Sequence, residues 1–476
     1  MSESQMRPDP HKPTRSMSRV PSPALFVGLL VVVLVQGCSP GPETTAPPVD
    51  TSTSFSPAGS LDVPDRWWTV FENERLNAVV DTATAANFTL RTAWQRLQAA
   101  EAVVDRESGA LFPDLEGTAG GSVSGTQPDG TSTENLQLGL SSVYEVDLWG
   151  RIRSRVQAER FRAEASRTDY QTAALSLSAE VVRTWVQLAE ARSQRRLVQD
   201  QVETNRTVLT LLQNRFETGQ IRSVDILRQR QLLESTREQR TVVESRVQVL
   251  EHRLAVLLGR SPQAGVENRP ETLPELPPLP EAGVPTDLIR RRPDVQRALN
   301  QLKAADRDLA AAISNQYPRL TLSVSASTAA STAQDLFQSW AYAFAGDLLA
   351  PIFRGGALRA EVDRTEAVRT QRLYEYGQTI LTAFQEVEDA LIREKKQRER
   401  IQQLERQVEL AQQAYEQLRT QYFNGAADYL DVLTALDEVQ QLRRDRLAAE
   451  RTLVEDRIAL YRALAGAFET ERARNS

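Results

Sequence analysis

The chain repeats itself about 205 residues apart, and a duplication of that length confines it to a pseudo-symmetric fold built from repeated units. Leu111-Phe112-Pro113-Asp114-Leu115 opens a small-residue stretch that returns from Tyr317-Pro318-Arg319-Leu320, and the Trp149-Gly150 turn returns at Arg354-Gly355. Phe216-Glu217-Thr218-Gly219 is answered by Tyr422-Phe423-Asn424-Gly425, and Asp225-Ile226-Leu227 by Asp431-Val432-Leu433. The offset moves only from 205 to 206, so few insertions separate the halves.

Each half passes through the same periods. From Asp65 to Gly109, Leu76, Val79, Val80, Ala83, Leu90, Trp94 and Leu97 recur at threes and fours, which predicts helix up to Pro113. The period then becomes two. Leu115, Gly117, Ala119, Gly121 and Val123 alternate with Glu116, Thr118, Gly120 and Ser122. After a polar loop at 125–134, Leu136, Leu138 and Leu140 alternate with Gln137, Gly139 and Ser141. A hairpin is expected within 113–147 and a second within 318–348, where Leu320, Leu322 and Val324 face away from Thr321, Ser323 and Ser325. In the second hairpin Trp340, Tyr342 and Phe344 likewise alternate with Ala341, Ala343 and Ala345.

Arg151 to Arg215 contains neither proline nor glycine, and Tyr170, Ala174, Leu177, Val181, Trp185 and Leu188 mark one face. At about 1.5 Å per residue this predicts a rod of roughly 95–100 Å. Gly219 turns it into a returning helix striped by Val224, Ile226, Leu227, Leu232, Leu233, Val242, Val249, Leu254 and Leu257. Gly425 does the same in the second half. The expected organisation is a first repeat at 65–258 with its helical hairpin at 151–258, and a proline-rich connector at 259–287. A second repeat at 288–466, with its helical hairpin at 356–466, and a tail at 467–476 complete it.

Strands of about ten residues with one apolar face and one of Thr, Ser, Gly and Gln suit a membrane barrel with a polar lumen. Four such strands cannot close, since the smallest barrel needs about eight, and open edges do not persist in lipid. Identical copies must therefore combine. The formal net charge of -6 argues against nucleic acid, which is held through basic patches. His11 and His252 are the only histidines, so no His/Cys metal cluster, catalytic pair or cofactor loop is expected.

Arg15 and Arg19 precede a twelve-residue apolar run, Ala24 to Val35, which predicts a signal peptide over 1–37, with Met17 as an alternative start. Leu34-Val35-Gln36-Gly37-Cys38 resembles the bacterial lipobox, which implies lipidation of Cys38, and a Pro/Thr/Ser linker follows within 38–64.

Taken together, these segments resemble the TolC-like outer-membrane efflux proteins, in the OprM/NodT lipoprotein branch. Trp67-Trp68 with Phe71 and Leu76, Tyr144 to Gly150, Arg291-Arg292-Pro293-Asp294-Val295, Pro351 to Gly356 and Ala383 to Leu391 carry the resemblance. It implies a mainly α fold with a membrane β part. Three chains would give four strands each to a twelve-stranded barrel continuing into a long periplasmic α-helical barrel. The implied role is a passive, non-enzymatic exit duct in a tripartite pump, lipid-anchored in the outer membrane. A periplasmic adaptor and an inner-membrane resistance-nodulation-division transporter would be its partners.

By the same resemblance Asp431 gates the aperture. Asp428, one turn earlier, either shares that role or simply caps the helix, and Asp225 is a cap or interhelical residue. Arg215, Gly219, Gln220, Arg222, Tyr422 and Gly425 form the tips that would meet the adaptor, the glycines being first of all turn residues. Two other readings stand: the channel of a type I protein-secretion system, and a coiled-coil periplasmic lipoprotein.

Overall fold

The computed structural model describes residues 48–49, 55–56, 63–126, 131–283 and 285–474; the expected signal peptide and Cys38 lie outside them. A 3-10 turn at Trp67–Phe71 leads into α1 (Glu74–Ala86) and α2 (Phe88–Gly109), then β1 (Asp114–Thr126), β2 (Thr131–Val146), α3 (Arg151–Glu217) and α4 (Ser223–Leu257). The second half supplies α5 (Pro285–Arg291), α6 (Pro293–Ser314), β3 (Arg319–Ala330), β4 (Ala341–Leu349), α7 (Ala357–Phe423), α8 (Tyr429–Leu464) and a last turn, α9 (Glu471–Arg474). The duplication is visible in element lengths: α2 and α6 each have 22 residues, and α3 and α7 each have 67.

Three expectations need correction. The helix expected through Gly109 is broken at Asn87, whose Oδ1 accepts from Leu90 N at 3.1 Å while Nδ2 donates to Leu257 O at 3.0 Å. A side chain that caps one helix and holds a distant carbonyl favours a break over continuous helix. Trp340 precedes β4 instead of starting it, because the β3–β4 loop turns back and Thr328 Oγ1 donates to Leu336 O at 2.5 Å. The stripe expected on α4 divides: Leu232, Leu233 and Leu254 are buried, whereas Val242 and Val249 are exposed among the described residues.

The chain forms two compact units, the strands with their flanking turns (115–151 and 317–351) and the helices (45–114, 152–316 and 352–476). In the helical unit the core gathers Trp67, Trp68, Tyr170, Val181, Trp185, Leu188, Ile380, Val387, Ile458 and Tyr461. Trp67 stacks on Tyr461 at 6.0 Å and donates through Nε1 to Ser178 Oγ at 3.1 Å. Buried amides tie the long helices together: Gln194 and Gln201 of α3 donate to the carbonyls of Arg444 and Gln440 in α8, and Gln397 of α7 donates to Ala449 O. Arg192 of α3 pairs with Glu251 of α4 at 3.0 Å.

The Arg291-Arg292-Pro293-Asp294 motif is a clamp. Buried Arg292 holds Asp294 at 2.6 Å, Glu386 of α7 at 2.9 Å and the Ala463 carbonyl of α8 at 3.2 Å. Burial opposes ionisation of Asp294, yet its hydrogen bonds with Arg292 and that residue's charge hold its carboxyl below the ordinary range.

Asp456 in α8 has the opposite balance. Burial pushes its carboxyl up to about 6 against the opposing charge of Arg393, with Glu394 and Glu455 adding to the rise. A folded value above the ordinary 3.8 means that the folded state binds more protons between those two values, so stability falls as pH rises through that window. Asp456→Asn is therefore expected to stabilise by about 1 kcal/mol at neutral pH, after allowing for solvent screening of a half-buried group, and not near pH 4. Denaturant midpoints at the two pH values check this; equal effects at both would remove the assignment.

Candidate functional site

Strand order is β1-β2-β3-β4, antiparallel from β2 through β4. Register places Leu140 opposite Ala326 and Ala326 opposite Tyr342, so that Leu136, Leu138 and Leu140 share a face with Leu322, Val324, Tyr342, Phe344 and Leu348. Gly117 and Gly121 extend this face to β1, where an added Cβ would meet Leu140 and Leu136. The other face carries Gln137, Ser141, Thr321, Ser323, Ser325 and Ser327. The apolar face is open: Leu115, Tyr342 and Phe344 are each 73–78% exposed. The strands have 13, 16, 12 and 9 residues, against about 9–11 needed to span a bilayer. β1 and β4 are the edges, and each presents unpaired backbone groups.

At the turn out of the sheet, Trp149 Nε1 donates to Pro318 O at 2.8 Å and its ring stacks on Tyr317 at 4.9 Å. Arg151 grips Glu145 through two hydrogen bonds. Trp149 is thus a packing residue.

The helical-hairpin tips form the second part of the site. Gly219 and Gly425 have φ of 72° and 75°. Each is followed by a six-residue backbone bond, Gln220 N to Arg215 O at 3.0 Å and Ala426 N to Gln421 O at 2.8 Å, which satisfies the last carbonyls of α3 and α7. Arg215 lies over the rings of Tyr422 and Phe423 at 5.1 and 5.3 Å and donates through Nε to Gln220 Oε1 at 3.1 Å. Beneath, Leu212, Ile226, Tyr429 and Val432 make a small core. Of the tip residues expected from the sequence, Arg215, Gln220 and Tyr422 therefore come together across both hairpins.

The aspartates separate. Asp428 occupies the N-cap backbone position of α8, but its carboxylate accepts no capping bond and stands 3.8 Å from Arg222 of the other hairpin. Asp431 is exposed in the first turn of α8, outside these contacts. Asp225, its counterpart in the first repeat, is buried and accepts from Arg222 N at 3.4 Å.

Sequence reading missed the polar residues behind the tip. Tyr429 donates to Gln229 Oε1 at 2.6 Å, Gln229 to Asn205 O at 2.9 Å, and Asn205 exchanges hydrogen bonds with Gln440. Amides recurring on an otherwise apolar helix face were the available signal. Burial first, then Tyr422, Tyr415 and Asp225, push the Tyr429 hydroxyl well above its ordinary value, so it stays a neutral donor. Three other buried polar atoms at the tip, Arg215 Nη1, Tyr422 Oη and Asp225 Oδ1, have no hydrogen-bond partner among the described residues.

Among the described residues no helix is long and apolar enough to cross a membrane. Residues 79–260 and 284–466 each match the family described as outer membrane efflux protein. The chain is 31% identical to the pyoverdine export outer membrane protein OpmQ of Pseudomonas aeruginosa, over 92% of this chain and 95% of that one. It is 27% identical to the cation efflux system protein CusC of Escherichia coli K12, over 94% and 100%. The solved structure of the outer-membrane channel OprN superposes with a TM-score of 0.81 at 29% identity, over 90% of this chain and 97% of that one.

Proposed function

We infer, because the chain belongs to the outer membrane efflux protein family, that it serves as the exit duct of a tripartite pump for small toxic compounds. The observation that carries this reading is the four-stranded sheet with an exposed apolar face, a polar face and two open edges. Lipid on one side and water on the other suit those faces, and head-to-tail repetition of the sheet removes the edges. A trimer brings twelve strands together, within the range that leaves an aqueous lumen. The uncovered Val242, Val249 and Val256 of α4, seven residues apart, support contact between neighbouring copies along the helices as well.

In this proposal residues 1–37 are removed, Cys38 is acylated and inserts in the outer membrane, and the linker to residue 64 joins anchor to body. A periplasmic adaptor meets the tips at Arg215, Gly219, Gln220, Arg222, Tyr422 and Gly425, and an inner-membrane transporter drives the flow. Relatives named for pyoverdine export and for cation efflux both match this chain over more than nine tenths of its length, which supports placing cargo choice in the transporter. Deleting the gene should sensitise cells to small toxic compounds; unchanged susceptibility with loss of a secreted protein would favour protein secretion.

Asp428 and Asp431 are proposed to gate the tip, because a ring of carboxylates repels itself and draws in cations when narrow. The Arg222–Asp428 approach, with both groups solvent-exposed, is weak enough to exchange on opening. Planar-bilayer recordings are expected to show discrete channels from heat-modifiable trimers, with higher single-channel conductance in Asp428→Ala/Asp431→Ala. No rise would discard the gate; no channels at all would discard the duct.

A further inference from the structure

The long helices that follow strands break a rule that the returning helices keep. α4 and α8, which start at the tips, carry Asp225 and Asp431 in their first turns, where a carboxylate suits the positive end of the helix dipole. α3 and α7 have no acidic residue there. Instead, residues 151–162 hold five arginines against Glu159 alone, and residues 354–364 hold three against Glu361 and Asp363. Eight arginines against three carboxylates leave a surplus of five positive charges at two helix starts, in a chain whose formal net charge is -6. Cations at that end of a helix oppose its dipole, so helix stability does not account for them.

Part of the charge is answered within the protein. Arg162 pairs with Glu159 and Asp308, and Arg364 with Glu361 at 2.7 Å. Arg155, Arg162 and Arg364 line, with Asp308, Glu361 and Asn315, one cavity of about 290 Å³, so the starts of α3 and α7 flank the end of α6. Arg160, Arg354 and Arg359 are exposed at the same starts.

We propose that this basic surface holds the phosphates of anionic phospholipids in the inner leaflet of the outer membrane. This depends on the reading of the strands as the membrane part. Arg354 follows Leu349, the last residue of β4, by five positions, and Arg153 follows Val146, the last of β2, by seven. Helices that begin so soon after a spanning strand start within reach of the headgroup layer, roughly 5–8 Å deep on each side of the hydrocarbon. A guanidinium fork matches a phosphate through two charge-assisted hydrogen bonds, and an anionic leaflet attracts clustered arginines. An acidic protein would satisfy the same charges, but chain continuity with strands whose apolar face is open favours the leaflet.

The test offers detergent-solubilised full chains equal amounts of phosphatidylglycerol and phosphatidylethanolamine with identical acyl chains, and counts retained lipids by native mass spectrometry. The parent is expected to prefer phosphatidylglycerol, and to lose the preference in about 0.5 M salt, which screens exposed charges. Each arginine is worth about fivefold at an anionic surface, so Arg160→Gln/Arg354→Gln/Arg359→Gln is expected to lower the preference more than about tenfold. Arg206→Gln/Arg230→Gln/Arg406→Gln makes the same charge change at exposed sites farther along the helices and is expected to keep it. An equal loss in both variants would mean that only net charge matters, and no loss in the first would remove the site. If the first variant yields no folded protein, the parent's salt dependence decides, a salt-independent preference overturning the proposal. Displacement of the lipid by inorganic phosphate at equal concentration would make this a general anion site and end the lipid assignment. Planar-bilayer recordings on the same preparations keep the two readings apart. Channels without a lipid preference remove the basic surface and leave the duct, whereas a parent that forms no channels removes both.

Discussion

Arg457→Leu is expected to destabilise the helical unit by about 3–5 kcal/mol, because it strands a carboxylate where water cannot reach. Arg457 is fully buried, and its Nε and Nη2 bind the two oxygens of Glu394 at 2.8 and 2.6 Å. Its Nη1 turns to the connector, donating to Pro278 O at 2.6 Å and to Pro277 O. One guanidinium thus joins α8, α7 and the proline-rich segment. Without it Glu394 keeps, among the described residues, Arg398 alone, at 2.8 Å and half-exposed.

The double variant Arg457→Leu/Glu394→Leu separates the two costs. Removing both charges replaces a buried ion pair by apolar contact, which is often nearly neutral, but the Pro277 and Pro278 carbonyls lose their donor at about 1–3 kcal/mol. The double variant should therefore be more stable than the single one and still less stable than the parent. Denaturant midpoints of the solubilised protein, at unchanged slope, give the comparison. A double variant weaker than Arg457→Leu would show that Glu394 is not stranded when Arg457 is gone, its pairing with Arg398 sufficing.

What could be read from the residues was whatever period and turn chemistry encode. The alternations at Leu115 and Leu320 place strands, and the proline-free run from Arg151 places a helix, because both patterns are local. The tip glycines are legible for the same reason. Partners distant in sequence are not: nothing around Arg457 points to Glu394, and nothing around Ser56 points to Glu388. Asp225 and Asp431 show the limit most clearly. They occupy matching places in the repeats, both before a hydrophobic pair, yet one is buried and the other exposed. Their burial depends on what each repeat packs against, which a duplicated motif does not record. Apolar character alone likewise cannot say whether Val242 meets its own chain or another.

Gly259 separates a turn that needs glycine for its dihedral from one that also needs its missing side chain. Gly219, Gly259 and Gly425 all have φ near 70–75°, and Arg260 N closes on Ala255 O at 2.9 Å as Gln220 and Ala426 close their own turns. At Gly219 and Gly425 an added Cβ would meet nothing within 4 Å, so Ala there is expected to cost only the left-handed backbone penalty, about 1 kcal/mol. At Gly259 the same Cβ would stand 2.6 Å from Ala86 O, and backbone cannot move aside as a flexible side chain would. That carbonyl immediately precedes Asn87, the residue that breaks α1 from α2 and holds Leu257 O, so displacing it also strains the cap. Gly259→Ala is therefore expected to cost about 3 kcal/mol, the backbone penalty plus a clash of similar or larger size. The second repeat avoids the problem, since Ala465 at the matching position takes φ of -65°. Unfolding midpoints of the three single variants decide it: equal losses at all three glycines would mean the contact with Ala86 relaxes freely, and only the dihedral matters.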